Sequence, residues 1–195
     1  MNKEDVIWNF LTIHPWLLEL NEELKPFISD DIAIKIVSED WERHQYYRLR
    51  EVTFRDEQKI LKEDRDEHDV EALGIVAIGK MFGEHDRVIG AVRIFPDGEQ
   101  TWYGGRLCVE PLYRRHHIIG KALINTAVST AKNLGCRTFL ATVQSQNERY
   151  FQRLCWDSLR QLTVANIPHV LMQAQIENYP LQHIPMQAYM LKETQ

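Results

Sequence analysis

The stretch YRRHHIIGKAL, residues 113–123, places two arginines, two histidines and a lysine where a helix is predicted to begin. Apolar residues recur four apart from Ile119 to Ala131, which indicates a helix that starts near His117. The first amides of a helix lack internal acceptors, and the helix dipole adds partial positive charge there. Because cations are unfavourable at such an end, a bound anion such as a pyrophosphate is the simplest compensation.

A second unusual feature lies just before this stretch, in the apolar run TWYGGRLCV. Gly104 and Gly105 interrupt an otherwise good strand, and glycine inside a strand marks a bulge or the close approach of a ligand. The alternative interpretation is that the arginines are solvated loop residues and Gly120 is incidental. The combination of an interrupted strand, a cationic turn and a glycine-bearing helix favours an anion site.

The elements that must position these residues follow from hydrophobic periodicity and turn residues. The order is β-α-β-β-β-α-β-α-β-β, mostly antiparallel with one central βα unit, and Gly135 ends the long central helix. Asp40 is the predicted N-cap of the first helix of this set, and residues 4–24 add one or two short helices broken at Pro15. The predicted strands are 31–38, 73–81, 87–95, 101–109, 137–143, 158–165 and 169–176, and the predicted helices are 40–61, 117–134 and 147–154.

Composition narrows the class of protein. The chain has 195 residues, 44% of them hydrophobic, and a net charge of -5, so bulk binding to nucleic acid is not expected. Three cysteines without CxxC spacing argue against a disulfide framework and a thiolate zinc site. No apolar run approaches the ~18 residues of a membrane span, and the N-terminal residues are acidic where a signal peptide is basic. We therefore expect a cytoplasmic protein without a membrane partner.

The segment VEPLYRRHHIIGKALINTAVSTAKNLGCRTFLATVQ resembles the acyl-CoA-binding segment of the GNAT N-acetyltransferases, V-x-P-x-Y-R-x-x-G-x-G-x-A-L. The resemblance covers about residues 32–176. LREVTFRDEQ, DRDEHD, VIGAVRI, WYGGRL and PHVLMQA further resemble the bacterial nitrogen-starvation N-acetyltransferase subfamily. The implied fold is α/β (α+β), a mixed, mostly antiparallel sheet splayed at a bulged strand, with helices on both faces. The implied domains are an N-terminal helical extension (1–30), the acyltransferase domain (31–177) and a C-terminal tail (178–195).

The resemblance implies acetyl-CoA as cosubstrate. Aligning the family pattern Q/R-x-x-G-x-G/A on Gly120 makes Arg115 its arginine and puts Ile118 at the first glycine. The bulged strand would pair with pantetheine through its backbone, so Cys108 is either a small buried residue or a nucleophile. The residues assigned to acetyl-CoA are Leu107, Cys108, Val109, Arg114, Arg115, His116, His117, Ile118, Ile119, Gly120, Lys121 and Asn147.

The implied reaction is direct attack of an amine on the thioester, and the catalytic candidates are Tyr103, His68 and Tyr150. The family often has a base early on the bulged strand, where Tyr103 stands here. Its leaving-group acid is a tyrosine in Y-x-x-x-G-F, where this chain has Phe151 with Tyr150 beside it. His68 has the pKa class of a general base.

The acidic loop DRDEHD is either a solvated charge run or part of an acceptor site. Arg50, Asp66, Asp69 and Arg93 resemble a pattern in acyl-homoserine-lactone synthases that shapes the acceptor site, and we assign them to substrate binding. His169 either faces the cleft or packs. No metal is expected, because adjacent histidines on one helical turn point apart.

The sequence thus predicts transfer of an acetyl group to a small-molecule amine. The alternatives are a lactone-synthase-like acyltransferase that takes its acyl group from a carrier protein, and a non-catalytic CoA-binding module. The apolar tail indicates either packing on its own domain or a homodimer.

Overall fold

The computed structural model describes residues 28, 29, 31–115, 117–181 and 187–190. The elements are β1 (Asp31–Ile36), α1 (Asp40–Glu51), β2 (Leu73–Met81), β3 (Glu84–Pro96), β4 (Thr101–Val109), α2 (His117–Asn133), β5 (Thr138–Gln144), α3 (Glu148–Gln152), β6 (Trp156–Val164), β7 (Ile167–Ala174) and β8 (Gln187–Met190). Eight strands form one sheet in the order β6-β7-β5-β4-β3-β2-β1-β8, and β4 and β5 are its one parallel pair in the described chain. The predicted order of elements from β1 to β7 and the mixed, mostly antiparallel sheet are confirmed, and β8 was not predicted.

Helices α1 and α2 cover opposite faces of the sheet, as predicted. Side chains alternate along β3, so Val92 and Ile94 join the core under α2, while Ala91 packs with Tyr46 of α1. A Cβ atom on Gly90 would lie 3.0 Å from Leu123 of α2, so glycine lets the helix approach closely. We call these surfaces the α1 face and the α2 face.

The first long helix is shorter than the predicted 40–61. It ends at Glu51 and continues as a π-helical turn over Val52–Glu57, in which the Gln58 amide donates to the Thr53 carbonyl at 3.0 Å. Its N-cap is Glu39, one residue before the predicted Asp40. Such π turns occur often at functional sites, and this one lies beside the cavity described below.

A bulge lies directly after the two glycines of β4, which themselves pair with Ile94 and Arg93. Ala91 pairs with Cys108 and Arg93 pairs with Gly105, so one residue of β3 stands opposite two of β4. One of those two, Arg106, has a left-handed backbone conformation with φ +55°. The extra residue bends β4 at the middle of the sheet.

The sheet splays next to this bulge. Pairing of β4 with β5 runs from Thr101 opposite Thr138 to Gly104 opposite Ala141 and then stops, although both strands continue. A Cβ atom on Gly104 would lie 2.9 Å from the Phe139 ring, so the last paired position requires glycine. Beyond it, the main-chain groups of β4 that face β5 pair with no strand of the described chain.

The described ends of the chain lie at the far edge of the sheet. Four residues of the predicted tail form β8, which pairs antiparallel with β1 through Asp31–Met190 to Ile34–Gln187. The helices predicted within residues 4–24 lie outside the described residues. None of the described helices has the length and apolar character needed to cross a membrane.

Candidate active site

A cavity of about 430 Å³ opens where β4 and β5 separate. Its β4 wall runs from Tyr103 to Leu107, and a Cβ atom on Gly105 would meet no atom of the described residues within 4 Å. Toward the α2 face the wall is apolar, with Val92, Phe139 and Phe151. The cavity therefore passes between the strands through the sheet.

The wall on the α1 face mixes aromatic, apolar and polar side chains. Phe54 and Leu61 come from the π-helical turn and the chain after it. Gln58 accepts a hydrogen bond from Gln144 at 2.9 Å and so joins that turn to the end of β5. Asn147, assigned to acetyl-CoA from the sequence, also lines the cavity.

The two arginines before α2 differ in their surroundings. Arg114 donates to the Val109 carbonyl at 2.8 Å and pairs with Glu57, whose carboxylate lies 2.6 Å from its second terminal nitrogen. Arg115 is exposed and has no hydrogen-bond partner or ion pair among the described residues. His116, also assigned to acetyl-CoA, lies outside the described residues.

The first turn of α2 is open on one side and covered on the other. His117, Ile118 and Lys121 are exposed, whereas Ile119 is buried in the core. The Tyr150 hydroxyl donates to the His117 carbonyl at 3.4 Å and would lie 3.3 Å from a Cβ atom on Gly120. Glycine at position 120 thus makes room for Tyr150.

Residues 107–109 of β4 differ in their surroundings. Leu107 lines the cavity, and Cys108 is buried on the α1 face with Tyr46. Burial raises the pKa of the Cys108 thiol to about 12. At neutral pH the group is a protonated, inaccessible thiol, which favours the structural interpretation of Cys108.

The three catalytic candidates occupy different places. Tyr103 lines the cavity, and its hydroxyl lies 2.9 Å from that of Thr142. His68 stacks on Phe95 with ring centroids 4.3 Å apart, and Phe95 stacks on Tyr103 at 5.8 Å, so one ring separates His68 from Tyr103. Tyr150 lies over α2, and its neighbour Phe151 lines the cavity instead.

His169 also lines the cavity, although the sequence left its orientation open. It stands opposite Gln144 in the β5–β7 ladder, and directly opposed residues share a face of the sheet. Its Nδ1 atom lies 2.8 Å from the Ile167 carbonyl. The neutral tautomer with its proton on Nδ1 donates to that carbonyl and leaves Nε2 as an acceptor.

Ion pairs on the α1 face join the four residues assigned to substrate binding. Arg50 pairs with both carboxylate oxygens of Asp69 at 2.7 and 3.0 Å, and Arg93 pairs with those of Asp66 at 2.6 and 3.0 Å. Arg93 also lies 2.9 Å from Asp69. Arg50 is completely buried, so its guanidinium is committed to protein partners.

Two further members of this network were missed in the sequence. Asp64 lies 2.8 Å from Nε of Arg50 and accepts from Nε of Arg106 at 3.0 Å. Nη2 of Arg106 donates to Asp66 at 3.0 Å. The one local signal was that Asp64 begins DRDEHD and Arg106 follows the two glycines of β4. Their partnership joins positions 42 apart and has no periodic signature.

Comparison with known proteins fits this geometry. The model of the acetyltransferase (GNAT) family matches residues 34–155. The fold resembles a Lactobacillus plantarum protein described as an N-acetyltransferase (21% identity, 74% of this chain and 98% of that one, TM-score 0.66). It also resembles an acyl-CoA N-acyltransferase from Pseudomonas aeruginosa (19%, 73% and 97%, 0.62) and an aminoglycoside 6'-N-acetyltransferase complexed with coenzyme A (16%, 73% and 96%, 0.56). Comparison with curated protein sequences gave no significant match.

The chain therefore belongs to the GNAT family of acetyltransferases. It is an acyltransferase whose cosubstrate is acetyl-CoA.

Proposed function

We propose that this enzyme transfers the acetyl group of acetyl-CoA to the amine of a small molecule by direct attack, as a member of the nitrogen-starvation N-acetyltransferase subfamily. The observation that carries the proposal is the cavity of about 430 Å³ that crosses the sheet where β4 and β5 separate. A pantetheine arm entering from one side and an amine entering from the other would meet there.

In this mechanism the nitrogen lone pair attacks the thioester carbonyl carbon. The C–N bond forms, the C–S bond breaks, and the sulfur leaves with the bonding electrons and takes up a proton. A base removes the extra proton from the nitrogen. A main-chain amide of β4 beyond Gly104 donates to the carbonyl oxygen, and one such preorganised donor is worth roughly 10²–10³ in rate.

The residues proposed to bind acetyl-CoA are those with hydrogen-bond donors that can reach a ligand. Amides of the first turn of α2 and the side chains of Arg115 and Lys121 bind the pyrophosphate. Arg114 is left out of this set because it is held by Glu57 and the Val109 carbonyl. Main-chain groups of Leu107 and Val109 pair with pantetheine, and Asn147 contacts it from the opposite wall.

Proton transfer is assigned to side chains on the α1 face of the cavity. Tyr103 is the best placed of the three predicted candidates, because its hydroxyl lies at the wall beside Thr142. The acceptor nitrogen of His169 makes that residue a candidate base. Placement gives less support to His68, which lies behind Phe95, and to Tyr150, which covers α2.

Calorimetric titration of acetyl-CoA tests the cosubstrate site. Arg115→Ala removes an unpaired cation, so we expect its Kd to rise about tenfold, the loss of one charge-assisted contact. Arg137→Ala, at an exposed position before β5, is the matched control. Equal affinity of wild type and Arg115→Ala would remove support for the pyrophosphate assignment.

Turnover tests the reaction. Thiol release from acetyl-CoA with a panel of small amines should be amine-dependent and yield the N-acetyl product by mass spectrometry. Tight binding of acetyl-CoA without turnover of any amine would instead support the non-catalytic CoA-binding module.

A second candidate is a lactone-synthase-like acyltransferase that takes its acyl group from carrier protein. The observation that favours it is the pairing of Arg50 with Asp69 and of Arg93 with Asp66, the set that carried the resemblance. Comparing acetyl-CoA with acyl-carrier protein as donor, under the same amine, separates the two functions.

A further inference from the structure

The charged lining of the cavity is one-sided. Among the described residues that line it, the charged ones are Arg93 and Arg106, and both lie on the α1 face. The aspartates that pair with them are not among the described lining residues, although the Asp66 side chain is 26% exposed beside Arg106. A ligand in the cavity therefore meets two guanidinium groups and no carboxylate among the described lining residues.

The hydrogen-bonding capacity of these arginines is not used up by the aspartates. Arg106 spends Nε and Nη2 on Asp64 and Asp66, while its Nη1 has no partner in the described part of the chain. Arg93 spends both terminal nitrogens on Asp66 and Asp69. Its Nε is buried and unpartnered among the described residues. Since this Nε is enclosed, Arg93 contributes positive charge at the cavity wall, and Nη1 of Arg106 is the donor left for a ligand.

The electrostatic surroundings of Arg106 also favour an anionic ligand at this residue. Burial lowers its pKa and the nearby Arg93 and Arg50 lower it further, against the opposing effect of Asp64 and Asp66. Burial is the largest single effect on Arg50 and Arg93 and acts to lower their pKa values, but the hydrogen bonds and charges around them together raise those pKa values. Arg106 contacts two aspartates, as Arg50 and Arg93 each do, but it is the one of the three whose charged form its surroundings disfavour.

This anion is not the pyrophosphate of the cosubstrate. Arg106 contacts Asp64, Asp66 and the Phe54 ring, which belong to the chain between α1 and β2 on the α1 face. The first turn of α2, to which the pyrophosphate is assigned, packs on the other face. An anion at Arg106 therefore belongs to the molecule that enters from the α1 face.

We propose that the acceptor is an amine that carries a carboxylate, as an amino acid does, and that Arg106 binds this carboxylate with help from Arg93. The inference rests on the proposed function and adds the substrate class. Phe54, Leu61 and Tyr103 provide an apolar and aromatic surface for the rest of the acceptor. The reaction is unchanged: the amine nitrogen gains the acetyl group, CoA leaves as the thiol, and the carboxylate takes no part in bond changes.

The test uses a panel of L-amino acids, each paired with its own carboxamide, which keeps the amine and removes the negative charge. In wild type we expect kcat/KM for the acid to exceed that for the amide at least tenfold, carried mainly by KM. Arg106→Gln should bring this ratio close to one. Arg106→Lys keeps the charge but loses the fork and should give an intermediate ratio.

Arg137→Gln is the matched control, because it removes one positive charge at an exposed site away from the cavity. Its acid-to-amide ratio should equal that of wild type. Thermal melting of each variant checks folding, since Arg106→Gln leaves Asp64 and Asp66 with one partner fewer. An acid-to-amide ratio of one or less in wild type, or a ratio unaffected by Arg106→Gln, overturns the inference while transferase activity stands.

A binding measurement keeps this test separate from that of the proposed function. With CoA present, N-acetyl amino acids are titrated against their amides by calorimetry. If no amine is turned over, the proposed function fails, but preferential binding of the N-acetyl acids that is lost in Arg106→Gln still supports the carboxylate site. Equal binding of acid and amide, or no binding of either, overturns it.

Discussion

Burial separates the candidate reactive groups of this protein residue by residue. Cys108 and Tyr103 lie on the same strand, yet the thiol is enclosed beneath α1 while the hydroxyl reaches the cavity. Burial also raises the pKa of Tyr150, whose hydroxyl is bonded to a helix carbonyl. A place on the bulged strand therefore does not by itself give a residue a catalytic role. Its side chain must also reach the cavity.

Cys108→Ala should leave the transferase active. A thiol with a pKa of about 12 is protonated at neutral pH and does not act as a nucleophile. The cost is a small packing loss of about 1 kcal/mol in the free energy of unfolding. Steady-state thiol release measures the activity, and mass spectrometry of wild type mixed with acetyl-CoA looks for an acetylated protein. Loss of turnover together with an acetyl adduct on Cys108 would contradict direct transfer.

If the Tyr103 hydroxyl donates or accepts a proton in the reaction, Tyr103→Phe should lower kcat by about 10²-fold. This is the lower end of the range for general acid–base catalysis. The substitution removes the contact with Thr142 and little volume. The KM for acetyl-CoA should change little, because the phenol lies on the acceptor face. Tyr47→Phe, on α1, is the control for loss of a tyrosine hydroxyl. Unchanged kcat in Tyr103→Phe would move the proton-transfer role to His169.

At the scale of elements, the sequence predicted those features that depend on residues close together in the chain. The alternation of β1, the hairpin of β2 and β3, and the start and end of α2 were predicted, since each depends on periodicity and on Gly135, which has φ +89°. The predicted end of α1 was wrong. Residues 52–61 continue the helical pattern, but the chain forms a π turn and then leaves the helix.

The candidate site was predictable only in part. The glycines of β4 and the turn before α2 signalled the bulge and the cofactor side, because both are local features. The partners of Arg106 and the Glu57 carboxylate that holds Arg114 lie 40 to 57 positions away. The rotation of α3, which sends Phe151 to the cavity and Tyr150 to α2, depends on packing against Trp156.

Two adjacent glycines of β4 should respond differently to alanine. At Gly104 the new Cβ would lie 2.9 Å from the Phe139 ring, so we expect a loss of about 1–3 kcal/mol in the free energy of unfolding. At Gly105 no atom in the described part of the chain lies within 4 Å of the new Cβ, and the change should stay within about 0.5 kcal/mol. Urea unfolding of both variants measures the difference. Equal destabilisation would contradict the splay at this position.

At the scale of the whole molecule, the arginine–aspartate network ties α1, the acidic loop, β3 and β4 together. Arg50, Arg93 and Arg106 come from three elements, and all three bind aspartates within residues 64–69. The network is balanced, with three cations and three anions, within a chain whose net charge is -5. Since Arg50 and Arg93 are buried, unpairing either would leave an uncompensated charge in the interior.

The stability of the protein should therefore fall steeply in acid. Burial alone would raise the pKa of Asp69, but hydrogen bonds from Arg50 and the Asp66 amide lower it to about 2, from 3.8 for the free side chain. A lowered carboxyl pKa gives stability that is fully present above the unfolded value and is lost as pH falls through the folded one. Asp69 should thus contribute about 2 kcal/mol at neutral pH, lost between about pH 4 and pH 2.

Urea unfolding at a series of pH values from 2 to 7 measures this loss directly. Asp69→Asn should be less stable than wild type at pH 7, by about 3 kcal/mol or more, because it breaks a buried pair. Its stability should depend less on pH below pH 4, since the titrating group is gone. Asp97→Asn, at an exposed turn, should keep the wild-type dependence. The prediction fails if the wild-type free energy of unfolding stays level down to pH 2, or if the Asp69→Asn curve runs parallel to it. Either result would show that the arginine–aspartate network does not stabilise the packing of α1, the acidic loop, β3 and β4.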